Sequence, residues 1–185
     1  NNGGNYISIS TAPSIALSPD GNYLYVGDYS AIKKFDAVNM VFINSISVGG
    51  SVVVPDSIAV SPDGNYLYIA YSNNETYGGG TIQKRNTSDL SLVASKSSGF
   101  TLADITVSSD GNYLYVINFD NYVSNAKVKK FNTSTMNLIS STDVGSNAIS
   151  MVFSLDENYL YIVSNNNSVL RKFTTSDMSP VAFLD

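Results

Sequence analysis

A short segment recurs four times in this chain: Ser14 to Val26 (SIALSPDGNYLYV), Ser57 to Ile69 (SIAVSPDGNYLYI), Asp104 to Val116 (DITVSSDGNYLYV) and Ser150 to Ile162 (SMVFSLDENYLYI). The turn aspartates of the copies, Asp20, Asp63, Asp110 and Asp156, stand about 43 to 47 residues apart, a period in the range of units built from one four-stranded sheet. Each copy reads as a hairpin. Alternating small and branched residues make the first strand; Ser-Pro-Asp-Gly turns the chain, with Pro pre-setting φ and Gly taking the position that needs φ above zero. Asn-Tyr-Leu-Tyr-Val returns with Tyr on one face and Leu and Val on the other. Both faces therefore predict burial, as when sheets stack face to face.

The rest of each period aligns equally well. A third strand follows as Ala31 to Asp36, Thr81 to Asn86, Lys127 to Asn132 and Val169 to Thr174, and then Met40, Leu90, Met136 or Met178 leads into a fourth. The expected fold is an all-β propeller of four-stranded antiparallel blades. Residues 12–48, 49–98, 99–144 and 145–185 form the four blades of one domain, and residues 1–11 form an extra strand of the last-strand type. Because the last blade already has its own fourth strand, the first strand of the chain is not needed to complete it. A partial array or a strand-exchanging assembly is the expectation, with unpaired edges open to other chains or to copies of this one.

Composition removes several classes of chemistry. The chain has 185 residues, a net charge of −5 and 43% hydrophobic residues, with no histidine and no cysteine. Lack of Cys removes disulfides, thiolate chemistry and zinc–thiolate sites. Lack of His removes the commonest general base and transition-metal ligand, and with it every His-containing triad. The acidic balance argues against nucleic acid, and no apolar run is long enough to span a bilayer. The chain does not begin with Met and carries no signal sequence, which reads as a mature or excised product. A polar but weakly charged surface fits an extracellular or cell-surface location.

With SPDGNYLYV followed by a short strand and a turn, the sequence resembles the YVTN family of β-propeller repeats found in archaeal and bacterial surface-layer proteins. The resemblance runs from about Ser14 to Asp185. It implies a propeller with a surface role, while lactonase-type and TolB-type propellers carry similar hairpins. Two departures stand out. The fourth copy reads Ser154-Leu155-Asp156-Glu157, without Pro or Gly, so a different or strained turn is expected. The third strand carries Lys where the family has a branched apolar residue.

Candidate site residues follow from the meander. Its A-to-B and C-to-D turns share one face and its longer loops share the other, where function concentrates on a fixed scaffold. That loop face offers Tyr29, Tyr71, Asn74, Glu75, Tyr77, Phe119, Asp120 and Tyr122, aromatic planes with amide and carboxylate partners suited to carbohydrate or extended peptide. Its carboxylates are too sparse for a calcium loop, so no metal is expected. Asn74, Asn86, Asn132 and Asn166 head Asn-X-Ser/Thr glycosylation sequons, although Asn and Ser are also what turns prefer. Lys34, Lys84, Lys130 and Lys172 hold one position in all four blades. They could form a ring of charge for an anionic polymer; the favoured expectation is pairing with the turn aspartates of their own blades. No nucleotide-binding glycine motif is present, and no cofactor is expected.

Two functions remain. The first is a non-catalytic extracellular module, a scaffold for cell-surface or filament assembly that binds protein or glycan. The second is a propeller enzyme of lactonase or oxidoreductase type, using carboxylates or a metal at the central channel. Absence of His and Cys, and the lack of a carboxylate cluster, favour the first.

Overall fold

The computed structural model describes residues 14–49, 55–72, 79–119, 125–165 and 169–184, and every element among them is a strand. The extra strand expected at residues 1–11 lies outside the described residues. Blade one consists of β1 (Ser14–Leu17), β2 (Tyr23–Asp28), β3 (Ala31–Asp36) and β4 (Val41–Ser47). Blade two holds β5 (Pro55–Val60), β6 (Tyr66–Ser72), β7 (Gly80–Asn86) and β8 (Leu92–Gly99). Blade three holds β9 (Thr101–Val107), β10 (Tyr113–Phe119), β11 (Asn125–Asn132) and β12 (Leu138–Ser146). Blade four holds β13 (Ala148–Phe153), β14 (Tyr159–Ser164), β15 (Leu170–Thr174) and β16 (Pro180–Leu184). Each is an antiparallel meander in chain order, with every strand paired to its sequence neighbour. This is the β-propeller architecture.

The repeated turn explains the first hairpin. In each blade the turn serine donates its hydroxyl to the aspartate two residues on, and the same hydroxyl receives the amide of the tyrosine that opens the second strand (Ser18 with Asp20 and Tyr23; Ser61 with Asp63 and Tyr66). The aspartate also takes the amide and side-chain nitrogen of the following asparagine. Gly21, Gly64 and Gly111 sit at φ of 72 to 76°, a left-handed conformation that only Gly adopts without cost. Glu157 occupies that conformation too, at φ 54°, and keeps the Ser154 carbonyl bond that the glycines make. The fourth turn is therefore strained, as expected, but its shape is unchanged.

A second conserved irregularity follows the third strand. Met40, Leu90, Met136 and Met178 all have φ between 52 and 64°, and the pairing of third and fourth strands slips one residue beside them in every blade. Leu90, Met136 and Met178 point into the core from this position. Unbranched or γ-branched side chains tolerate it better than β-branched ones would.

Blades stack through three hydrophobic clusters. Tyr25, Ile32 and Val48 of blade one meet Ile58, Leu67, Ile69 and Leu90 of blade two. Tyr68, Ala70 and Ile82 of blade two meet Ile105, Leu114, Phe131 and Met136 of blade three. Tyr115, Ile117 and Val128 of blade three meet Met151, Leu160, Phe173 and Met178 of blade four. Each blade thus has a leading face toward its predecessor and a trailing face toward its successor. Among the described residues no cluster joins blade four to blade one.

Candidate functional site

On the face that carries the short turns, a cleft opens at each blade-to-blade junction. The three clefts enclose about 780, 570 and 360 Å³, within the size range of small-molecule sites. The first is bounded by Asp20, Tyr23, Tyr25 and Lys34 of blade one, and by Pro62, Asp63 and Thr87 of blade two. Pairing register puts the repeated lysine opposite the second tyrosine of Tyr-Leu-Tyr, as Tyr25 with Lys34, Tyr68 with Lys84 and Tyr115 with Lys130. Both residues consequently lie on the trailing face.

The lysines do not pair with the turn aspartates. Lys34 Nζ donates to the Thr87 carbonyl (2.8 Å), Lys84 Nζ to the Thr133 carbonyl (3.0 Å) and Lys130 Nζ to the Thr175 carbonyl (3.2 Å), each in the next blade. Each ammonium also sits over the first tyrosine of its own blade, 4.1 Å from the Tyr23 ring centroid, 3.8 Å from Tyr66, 4.1 Å from Tyr113 and, for Lys172, 3.6 Å from Tyr159, where the ring quadrupole attracts a cation. The expected Lys–Asp bridges fail because the turn carboxylates are already occupied by their own turns. Hydrogen bonds, foremost that of the turn serine, hold Asp20, Asp63, Asp110 and Asp156 below the usual carboxylate range. Burial pushes Lys34, Lys84 and Lys130 down, with the turn aspartate opposing it. The one ion pair found among the described residues joins Lys33 to Asp28 at 2.5 Å.

Burial also pushes the Tyr68 and Tyr115 phenols up to about 12. The threonines complete the joint: Thr87, Thr133 and Thr175 donate their hydroxyls to the carbonyls of Gly64, Gly111 and Glu157 at 2.6 Å. Thus each C-to-D turn is tied to the A-to-B turn of its own blade while its carbonyl receives the preceding blade's lysine. The cleft walls are bonded to one another, so their repeated polar groups act in blade stacking.

The loop face is described only in part. Tyr29 is exposed and, at φ 51°, turns the chain between β2 and β3. Tyr71 is not a loop residue: it lies in β6, buried in the core between blades one and two, and its hydroxyl accepts from Gln83 Nε2 at 2.9 Å. Phe119 ends β10 and packs half-buried against the core between blades three and four. Asn74, Glu75, Tyr77, Asp120, Tyr122 and the sequon Asn166 lie outside the described residues. Asn86 and Asn132 end β7 and β11 and serve their own turns, Asn86 Nδ2 donating to Ser91 Oγ and Asn132 Oδ1 accepting from Ser134 and Thr135 amides.

A further polar line, not expected from the repeat pattern, runs along the first strands. Asp104, where two other copies begin with Ser57 and Ser150, accepts both of those hydroxyls at 3.0 Å and the Met151 amide at 2.8 Å. One carboxylate therefore bridges blades two, three and four. Its signal was the single copy of the repeat that opens with Asp. Asp56 is pushed up to about 6 by burial, against the opposing hydrogen bond from Ser72 Oγ at 2.6 Å. Among the described residues no group of three His, Cys, Asp or Glu side chains is placed to hold a metal ion, and no helix is long and apolar enough to cross a membrane.

The LVIVD repeat family matches residues 11–31, 55–76 and 98–124, the first hairpins of blades one to three and their surroundings. YVTN repeats are a related but not identical family. No curated protein matches the chain. Among solved structures, Kuenenia stuttgartiensis Hydrazine Synthase is similar with a TM-score of 0.78 and 21% identity, over 90% of this chain and 51% of that one. This chain thus spans about half the length of that structure, and at such identity the likeness is one of fold. In all, 1057 chains of solved structures match, so widely shared an architecture that activity has to be argued from sites. The chain is a β-propeller, and three of its segments are similar to the LVIVD repeat.

Proposed function

We propose that the chain is a non-catalytic β-propeller module that acts outside the cell or at its surface, as a scaffold and as an interaction domain for protein or glycan. The observation that carries this reading is the employment of its repeated polar side chains. Turn aspartates bond their own turns, the first three repeated lysines bond the next blade's carbonyls, and Asp104 bridges three blades. Among the described residues, these repeated polar groups serve the turns and the stacking of blades and are not left to activate a substrate. The weakly charged surface and the YVTN-like hairpin support the location.

An enzyme reading draws on the likeness to Hydrazine Synthase, but 21% identity carries the fold only. The test is a paired assay of the purified chain. We expect no turnover of lactones with or without added Ca²⁺, Mg²⁺ or Zn²⁺, and saturable binding to cell-wall glycan or surface-protein preparations. Turnover that is lost in Asp56→Ala or Asp104→Ala would overturn the proposal in favour of the enzyme.

A further inference from the structure

At the loop-face end of each blade junction three equivalent positions meet: one at the close of the fourth strand of a blade, and one each from the second and third strands of the next. Between blades one and two these are Val48, Tyr71 and Gln83, and Gln83 Nε2 donates both to the Val48 carbonyl at 3.1 Å and to the Tyr71 hydroxyl at 2.9 Å. Between blades three and four they are Val144, Ser164 and Arg171, and Arg171 Nη1 donates to Ser164 Oγ at 2.8 Å. The guanidinium lies so close over Gly145 that a Cβ there would meet its Nη2, Cζ and Nε at 2.7, 2.8 and 3.1 Å. Valine with a tyrosine ring, or valine with a flat guanidinium, fills these two junctions.

The junction between blades two and three departs from this pattern. Its residues are Ser98, Asn118 and Lys129, with Ser in the place of Val and Asn in that of Tyr71. Lys129 Nζ donates to the Ser98 carbonyl, and Asn118 Nδ2 donates to the Thr101 carbonyl at 3.3 Å. Ser98 is 4% exposed and Asn118 0%, yet Ser98 Oγ and Asn118 Oδ1 have no hydrogen-bond partner among the described residues. Buried polar atoms are rarely left in that state, because their desolvation is then uncompensated. Ser98 holds the position from which Val48 and Val144 enter the junction clusters, so its hydroxyl faces blade three. Over Gly99, the equivalent of Gly145, the nearest atoms are Asn118 Nδ2, Asn118 Oδ1 and Lys129 Nζ, standing 3.4 to 3.5 Å from a Cβ position. Polar groups thus converge on a space that the Arg171 guanidinium fills in the next junction.

We propose that the junction between blades two and three binds one water molecule, held by Ser98 Oγ and Asn118 Oδ1, which ties the two blades where the other junctions use side chains alone. The chemistry of the pocket selects this ligand. Asn118 Oδ1 can only accept, so its partner must bring a hydrogen, and a halide brings none. A metal cation would stand beside the Lys129 ammonium in a poorly solvated place, where like charges repel most strongly. A neutral molecule that both donates and accepts is what these groups fit, and the confined space suits the smallest one. Water donates to Asn118 Oδ1 and accepts the hydrogen of the Ser98 hydroxyl. This site stands apart from the scaffold reading and does not depend on it.

A crystal structure of the chain at a resolution that shows ordered solvent tests the site directly. We expect a water peak within hydrogen-bonding distance of both Ser98 Oγ and Asn118 Oδ1. No peak there, a direct Ser98–Asn118 bond, or a peak with the coordination of an ion overturns the proposal. Urea unfolding tests it in solution. Ser98→Val installs the residue that the other two junctions have and removes one partner of the water. Alone it should raise the unfolding equilibrium constant about tenfold; in an Asn118→Leu background, where the water has lost its other partner, it should leave that constant unchanged or lower it. Asn118→Ala serves as the background if the larger side chain prevents folding. An equal effect of Ser98→Val in both backgrounds, whatever its sign, overturns the proposal, because two groups that share no water act independently.

Discussion

Leu90 and Met40 occupy the same left-handed backbone position, yet one is sealed and the other is half open to solvent. Removing a buried leucine side chain costs about 2 to 5 kcal/mol, while relief of a left-handed non-glycine residue returns about 1 to 2 kcal/mol. Leu90→Gly should therefore lower stability by about 2 kcal/mol in urea unfolding, and Met40→Gly should be close to neutral or slightly stabilising in the monomeric chain. Asp56 gives a pH signature of definite sign. Its folded value of about 6 lies above the ordinary 3.8, so the protonated form is favoured by folding. The stability it contributes is complete below about pH 4 and is lost as pH rises through about 6, roughly 3 kcal/mol in all. The wild type should lose stability relative to Asp56→Asn across that window. Parallel unfolding curves of the two proteins from pH 4 to 7 would refute the assignment.

At the scale of elements, the fourth turn and the lysine pins can each be tested. Glu157 carries backbone strain at φ 54°, and its carboxylate receives the amide of Ser109, a donor that exists only because the third copy has Ser where the first two have Pro. The two departures from SPDG compensate one another across a junction. Ser109→Pro alone should destabilise by about 1 kcal/mol, since it removes a donor to a charged acceptor at an exposed site. Combined with Glu157→Gly it should not, and a double-mutant cycle should show coupling of about 1 kcal/mol. Lys84, buried and bonded to the Thr133 carbonyl, should cost about 1.5 to 3 kcal/mol when changed to Met. Lys172→Met should cost little in the isolated chain. Because these bonds run to neutral carbonyls and not to carboxylates, the Lys84→Met effect should persist between 0.1 and 1 M salt, whereas a surface ion pair would fade.

For the whole molecule, stability follows the stacking of one blade on the next. Among the described residues, blades two and three pack against a neighbouring blade on both faces, and blades one and four pack against a neighbouring blade on one. Hydrogen exchange should accordingly be slowest in β6 and β10, where Leu67 and Leu114 on one face and Tyr68 and Tyr115 on the other are enclosed.

The amino-acid sequence by itself determined the repeat, the four strands of each blade, their order and the two-sided burial of the second strand in blades two and three, while the first tyrosine of each Tyr-Leu-Tyr stays partly open beneath its lysine. Those features follow from short-range rules: Ser, Asp and Gly close a turn within a few residues, and alternation assigns side chains to faces. Only the tertiary structure decided where the longer polar side chains end. Lys34 finds a carbonyl 53 residues away, and Asp104 joins serines 47 and 46 residues to either side. Tyr71, read as a loop ligand, turned out to lie in the core because β6 continues past the end of the repeated motif. Such partners depend on the offset with which one sheet stacks on the next, a distance that no local pattern in the chain encodes.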